Sequence, residues 1–211
     1  MDGVLADSEP LHQDVIRIML AEFGVDWDIT RGDPTVGLRS LDGFEVICAR
    51  HPLPHDARRL DALYTARVLP VLRERLSPLP GVPEVPRALA ARGVRLAVGS
   101  SSNLEVIETT LITLGVRALF EAVVSGAEVA LGKPAPDIFL EAAKRLGVAP
   151  AACVVVEDSE RGVRAARAAG MRCVAIPCGE TRHHDFSEAT LVLPALPELL
   201  RSPLFRRSRA T

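Results

Sequence analysis

Apolar positions recur every three or four residues through the first third of the chain. Over residues 8–23 they fall at Leu11, Val15, Ile18, Met19 and Phe23, the spacing of one helix face, with Ser8 at the N-cap position and Pro10 in the first turn. Gly32, Asp33, Pro34 and Gly37 mark a turn; residues 38–50 resume the helical texture. His51-Pro52-Leu53-Pro54 breaks it before a further helix over 56–74. This first third is expected to be all-helical. Residues 77–86 then carry Pro78, Pro80, Pro83, Pro86 and Gly81, the composition of a stiff linker, and a domain boundary is expected there.

Beyond the linker the period changes. Short runs rich in Val and Ile at 95–99, 122–125, 153–157, 173–176 and 190–193 read as buried parallel strands. Helical patterns fill the intervals at 86–92, 104–114, 137–146 and 161–169, followed by Gly93, Gly115, Gly147 and Gly170 as stops. This alternation predicts an α/β fold, a Rossmann-like parallel sheet with right-handed crossovers. The tail over 201–211 has no periodicity, and its Arg206, Arg207 and Arg209 read as a frayed, solvated end.

Composition narrows the function. With 48% hydrophobic residues in 211, the chain buries one substantial core or a core plus a small inserted domain. Its 25 basic and 27 acidic residues leave a net charge of −2, so bulk charge recruits neither nucleic acid nor an anionic membrane, and a small-molecule partner is expected. Aromatics at 4% argue against stacking platforms for single strands or carbohydrate. Cys48, Cys153, Cys173 and Cys178 show no CxxC spacing and fit a reducing compartment. No apolar run approaches the roughly 20 residues that span a bilayer, and the acidic start lacks signal-peptide character, so a cytoplasmic location is expected. Only Lys133 and Lys144 among the basic residues are lysines, which makes a lysine in this chain a candidate for a chemical requirement.

Ligands of an open parallel sheet gather outside the carboxyl ends of its strands, so polar residues just after apolar runs come first. Ser100-Ser101-Ser102-Asn103 is either an ordinary N-cap cluster or a hydroxyl and backbone N–H site for a phosphate or carboxylate oxygen. Lys133, in Gly132-Lys133-Pro134, is either a solvated surface lysine or an ammonium placed over an anion. A P-loop is excluded, because Gly126 and Gly132 enclose five residues where four are required and Pro134 stands at the Ser/Thr position. Glu157-Asp158-Ser159 ends the strongest strand. Asp158 caps a helix there, or the adjacent carboxylates ligate Mg²⁺, a hard cation that takes one or two carboxylates plus waters and phosphate. His183-His184-Asp185 lacks further ligands at metal-site spacing and reads as a polar surface loop.

Together with Met1-Asp2-Gly3-Val4-Leu5-Ala6-Asp7-Ser8-Glu9-Pro10, these stretches in this order resemble the haloacid dehalogenase superfamily of phosphotransferases. The match is to the branch with a small helical cap after the first motif, which includes β-phosphoglucomutase and many sugar-phosphate phosphatases. It covers residues 2–177. The resemblance implies a core over 1–9 and 78–200, a cap over 10–77 and a basic tail over 201–211. It also implies phosphoryl transfer through an aspartyl-phosphate, a covalent route that divides hydrolysis into two easier steps. On the family pattern, Asp2 is the general acid/base and lends its carbonyl to Mg²⁺. Ser100, with Ser101 beside it, holds the phosphoryl oxygens, and Lys133 offsets charge on nucleophile and phosphate. Asp158 with Glu157 holds Mg²⁺. His12 and Arg39 are candidates for substrate contact, against a partly buried helical histidine and a solvated arginine as the plainer readings.

The chain departs from the pattern at one point. The family nucleophile stands two residues before Asp2, one position upstream of Met1, on an apolar strand near the middle of the sheet. An internal Met taken as the start accounts for this, and a polypeptide without that strand is expected to fold poorly and to form no covalent intermediate. Asp2 disfavours carbon–halogen hydrolysis. The expected activity is therefore Mg²⁺-dependent hydrolysis of a small phosphorylated metabolite such as a sugar phosphate. A β-phosphoglucomutase-like mutase and a catalytically dead phosphate-binding module are the alternatives.

Overall fold

The computed structural model describes residues 1–27, 35 and 37–205. Three helices come first: α1 (Glu9–Ala21), α2 (Ser40–Arg50) and α3 (Ala57–Arg75). Each buries one apolar stripe, and Leu11, Val15, Met19, Phe44, Ile47, Leu60, Val68 and Leu72 form a common interior. Asp56 starts α3 by accepting a hydrogen bond from the Arg59 N–H at 2.8 Å. Ser8 stands at the N-cap position of α1 but makes no cap bond, because its buried hydroxyl donates to Asp2 Oδ1 at 2.6 Å. The turn expected around Gly32, Asp33 and Pro34 lies outside the described residues, as do Arg206, Arg207 and Arg209.

The chain leaves the core and returns to it through adjacent segments. The Asp7 N–H donates to the Ser77 carbonyl at 3.3 Å and the Leu79 N–H to the Leu5 carbonyl at 3.0 Å, so the helical unit hangs on two neighbouring strands of backbone. The predicted linker ends earlier than expected. Pro86 lies inside α4 (Glu84–Ala91), in the first turn, where a proline costs no hydrogen bond because those N–H groups have no intrahelical acceptor.

The remainder alternates strand and helix: β1 (Ala97–Ser100), α5 (Leu104–Thr113), β2 (Ala122–Ser125), α6 (Asp137–Leu146), β3 (Val154–Glu157), α7 (Glu160–Ala168), β4 (Arg172–Ala175) and β5 (Leu191–Val192). All strand pairs are parallel. Gly93, Gly115, Gly147 and Gly170 take positive φ just beyond the helices, as their placement in the sequence predicts. β1 begins two residues later than the apolar run suggested and includes Ser100, because it pairs Ala97–Ser100 with Ala122–Ser125 in register.

The strands form two sheets, β1-β2 and β3-β4-β5. Between the facing edges of β1 and β3 lies an apolar slot of about 340 Å³, walled by Leu96, Val98, Val154 and Val156, with Met1 and Leu5 also lining it. One apolar layer joins Val4, Leu5, Val85, Leu89, Val98 and Leu111, and another joins Ile138 and Phe139 on α6, Val155 on β3, and Val163 and Ala166 on α7. No helix among the described residues is long and apolar enough to cross a membrane.

Candidate functional site

The carboxyl ends of β1 and β3, the N-terminal turn and the inner faces of α1 and α2 enclose one cavity of about 160 Å³. Asp2, Ser100, Lys133, Glu157 and Asp158 all line it, although they come from four separate stretches of sequence. Each is delivered by a local device. Asp2 sits in a tight turn in which the Gly3 N–H donates to the Ala6 carbonyl at 3.0 Å. Ser100 is the last residue of β1, is 3% exposed and faces Asp2 Oδ2 at 3.4 Å. The Ser102 N–H donates to the Ser100 hydroxyl at 3.3 Å, and Ser125 Oγ donates to the Ser102 carbonyl at 2.7 Å, which anchors the serine loop to β2. Ser101 lines the same cavity, and its carbonyl accepts from the Ser40 N–H of α2.

Lys133 is no surface lysine. Its ammonium is buried against Glu157 Oε1 and lies 5.0 Å from the centre of the Phe139 ring. Glu157 Oε2 accepts from the N–H groups of Asp158 and Ser159 and from Ser159 Oγ, at 2.9–3.2 Å. Burial alone would raise this carboxyl; the Lys133 ammonium outweighs it and holds Glu157 below the usual carboxylate range. Ser159, not Asp158, caps α7, accepting from the Gly162 N–H at 3.1 Å.

The Asp158 carboxylate is therefore left facing the cavity, with Gly3 on one side and Cys178 Sγ at 3.4 Å on the other. Burial, with the Glu157 charge beside it, pushes Asp158 up to about 7. Asp2 moves the other way: burial would raise it, but His12 and Ser8 hold it well below its ordinary value. Three carboxylates, the Lys133 ammonium and the amino group of Met1 thus converge on a small volume. That deficit of positive charge and the hard oxygen donors suit a divalent cation ligated by Asp158 and Asp2, with Lys133 and Glu157 behind them. Among the described residues no three His, Cys, Asp or Glu side chains are grouped so as to hold a metal ion. His184 accepts from the Glu160 N–H at 3.4 Å, at the start of α7.

The helical unit brings His12 and Arg39 to the lining of the same cavity, each held by partners that its sequence did not indicate. Arg39 donates to both carboxylate oxygens of Asp42 at 2.7 and 2.8 Å and to the Val129 and Ala130 carbonyls at 3.2 Å. It clasps α2 to the loop before Lys133, and Gly126 and Gly132 leave room for its stem. His12 is 8% exposed; its Nδ1 lies 2.7 Å from the Tyr64 hydroxyl and its Nε2 3.5 Å from Asp2 Oδ1. Sequence reasoning passed over Tyr64, although a lone tyrosine in the apolar stripe of α3 signals a buried hydroxyl that needs a partner. It also passed over the pairing of Asn103 with Asp61 and Thr65 at 2.9–3.1 Å, which ties the serine loop to α3. No local pattern marks that contact.

Residues 1–170 match the haloacid dehalogenase-like hydrolase family. Protein CbbY of Rhodobacter capsulatus is 35% identical over 94% of this chain and 96% of its own length. Fructose-1-phosphate phosphatase YqaB of Escherichia coli K12 is 37% identical over 82% of this chain and 92% of its own length. The crystal structure of CbbY from Rhodobacter sphaeroides in complex with xylulose-(1,5)bisphosphate superposes with a TM-score of 0.87 at 30% identity, covering 94% of this chain and 93% of that one. With the family's model matching residues 1–170 and relatives along nearly the whole length, this chain belongs to the haloacid dehalogenase-like hydrolases.

Proposed function

We propose that this protein is a Mg²⁺-dependent phosphomonoester hydrolase acting on a small sugar or polyol phosphate, with residues 10–77 as a helical cap over a core formed by 1–9 and 78–200. The observation that carries the reading is the convergence of Asp2, Ser100, Lys133 and Asp158 on one cavity at the carboxyl ends of β1 and β3. In this reading Ser100 Oγ and the N–H groups of the serine loop hold the phosphoryl oxygens. Lys133 offsets their charge, and Asp2 protonates the leaving oxygen. Mg²⁺, held by Asp158 and Asp2, supplies further charge stabilisation to the transferring phosphoryl. The substrate class follows the relatives' names, fructose 1-phosphate and xylulose bisphosphate both being sugar phosphates. Four free thiols support a reducing, cytoplasmic setting.

The phosphoryl-accepting carboxylate belongs, in this reading, two positions ahead of Asp2, on a strand in the slot between β1 and β3. What supports that strand is the slot itself: its walls are apolar, it runs between two strand edges that have no partner among the described residues, and Met1 lines it. A polypeptide that carries this chain behind an apolar strand ending in Asp at that position should release inorganic phosphate from sugar phosphates, and EDTA should abolish the release. Isomerised hexose phosphate formed only with a bisphosphate primer would replace hydrolase by mutase. Phosphorylated ligand bound without turnover by the extended protein would make the site a binding module.

A further inference from the structure

We propose that Tyr64 is a positioning residue for the general acid: through His12 it orients the Asp2 carboxyl for proton transfer to the leaving oxygen. The inference rests on the phosphatase reading, in which Asp2 is that acid. Tyr64 sits on α3, His12 on α1 and Asp2 in the N-terminal turn, and the three line up across the junction between the helical unit and the core.

The hydrogen-bond arithmetic of the chain is restrictive. Tyr64 is 7% exposed and His12 8%, so neither polar end has ready recourse to water. Burial raises the Tyr64 hydroxyl well above its ordinary value, and it stays protonated. If His12 is neutral, the Tyr64 O–H donates to Nδ1 and the ring proton stands on Nε2, toward Asp2. If His12 is charged, Nδ1–H donates to the Tyr64 oxygen, and Nε2–H still faces Asp2. The remaining tautomer would point the Nε2 lone pair at a carboxylate. Tyr64 therefore fixes the imidazole in a plane from which Nε2–H addresses Asp2.

His12 Nε2 is buried and, at 3.5 Å from Asp2 Oδ1, lacks a full hydrogen-bond partner. Oδ1 is held instead by Ser8 at 2.6 Å, while Oδ2 faces Ser100. A small rotation of the Asp2 carboxyl exchanges Ser8 for His12 and changes the direction in which the acid presents its proton. Because Tyr64 and His12 both belong to the helical unit, that second arrangement is offered only when the unit sits against the core.

The test separates an effect on proton donation from an effect on folding. Tyr64→Phe keeps the ring, its packing against Phe44 and its burial, and removes only the hydroxyl. In the enzyme that carries its nucleophile, kcat for a sugar phosphate, whose alkoxide must be protonated, should fall by roughly 10- to 100-fold, a part of what general acid catalysis supplies. KM should stay within about twofold, and kcat for p-nitrophenyl phosphate, which needs no acid, should be nearly unchanged. In an Asp2→Asn background the same substitution should change neither substrate's kcat. Equal losses on both substrates, or no loss on either, would overturn the role of Tyr64 and leave the phosphatase reading intact. Absence of phosphate release by the unsubstituted enzyme would overturn both.

Discussion

A methyl group added at Gly3 would lie 2.4 Å from Asp158 Oδ2, at a φ of +66° that L residues rarely adopt. Gly3→Ala should therefore displace the carboxylate it shields and destabilise the protein by about 1–3 kcal/mol, read from urea unfolding. Asp158 itself makes stability depend on pH. Its folded value of about 7 lies above the ordinary 3.8, so the protonated form is the one folding favours. Without metal, the stability it contributes is present at low pH and lost as pH rises through 7. Thermal unfolding in EDTA should give a lower midpoint at about pH 8 than at about pH 5, with Mg²⁺ raising the midpoint chiefly at the higher pH. Asp158→Asn should remove both the slope and the Mg²⁺ gain. A midpoint that ignores Mg²⁺ at high pH would contradict the assignment of this carboxylate. At this scale the sequence named Asp2, Ser100, Lys133 and Asp158 through their order. Tyr64, Asp61 and Ser8 were hidden because their partners lie 52, 42 and 6 residues away.

Helices and strands were largely legible because each satisfies its backbone locally or presents an unbroken apolar face. Residues 137–146 and 122–125 have the predicted limits, and of the apolar positions read in the first helix Leu11, Val15 and Met19 are buried while Ile18 is 54% exposed. Element ends shifted where tertiary hydrogen bonds decided them, as at β1, or where proline was tolerated, as at Pro86 in the first turn of α4. Asp56 offers a direct test of a local signal. Asp56→Ala leaves the Arg59 N–H without its acceptor and should cost about 1 kcal/mol in urea unfolding, with the activity profile unchanged.

In the whole molecule, function depends on how the helical unit meets the core. Arg39 and the Asn103-Asp61-Thr65 cluster span that junction, and Arg39 is the more exposed of the two links. Arg39→Ala should loosen the clasp, raise KM for a sugar phosphate severalfold and enlarge the ligand-free radius of gyration in X-ray scattering, as expected when charge-assisted bonds of about 1.5–3 kcal/mol each are lost. An unchanged KM and radius would show that the Asn103-Asp61-Thr65 cluster and the packing of α3 on α5 suffice to hold the two together. The sequence by itself determined the fold class and the order in which the candidate site residues follow one another, because apolar period and polar residues at strand ends are local properties of the chain. Only the tertiary structure decided that Lys133 is buried against Glu157, that Arg39 binds carbonyls instead of standing free, and that β1 and β3 face each other across an apolar slot. Those outcomes depend on which groups lose water together, and distant segments acquire shared desolvation only once the chain has packed.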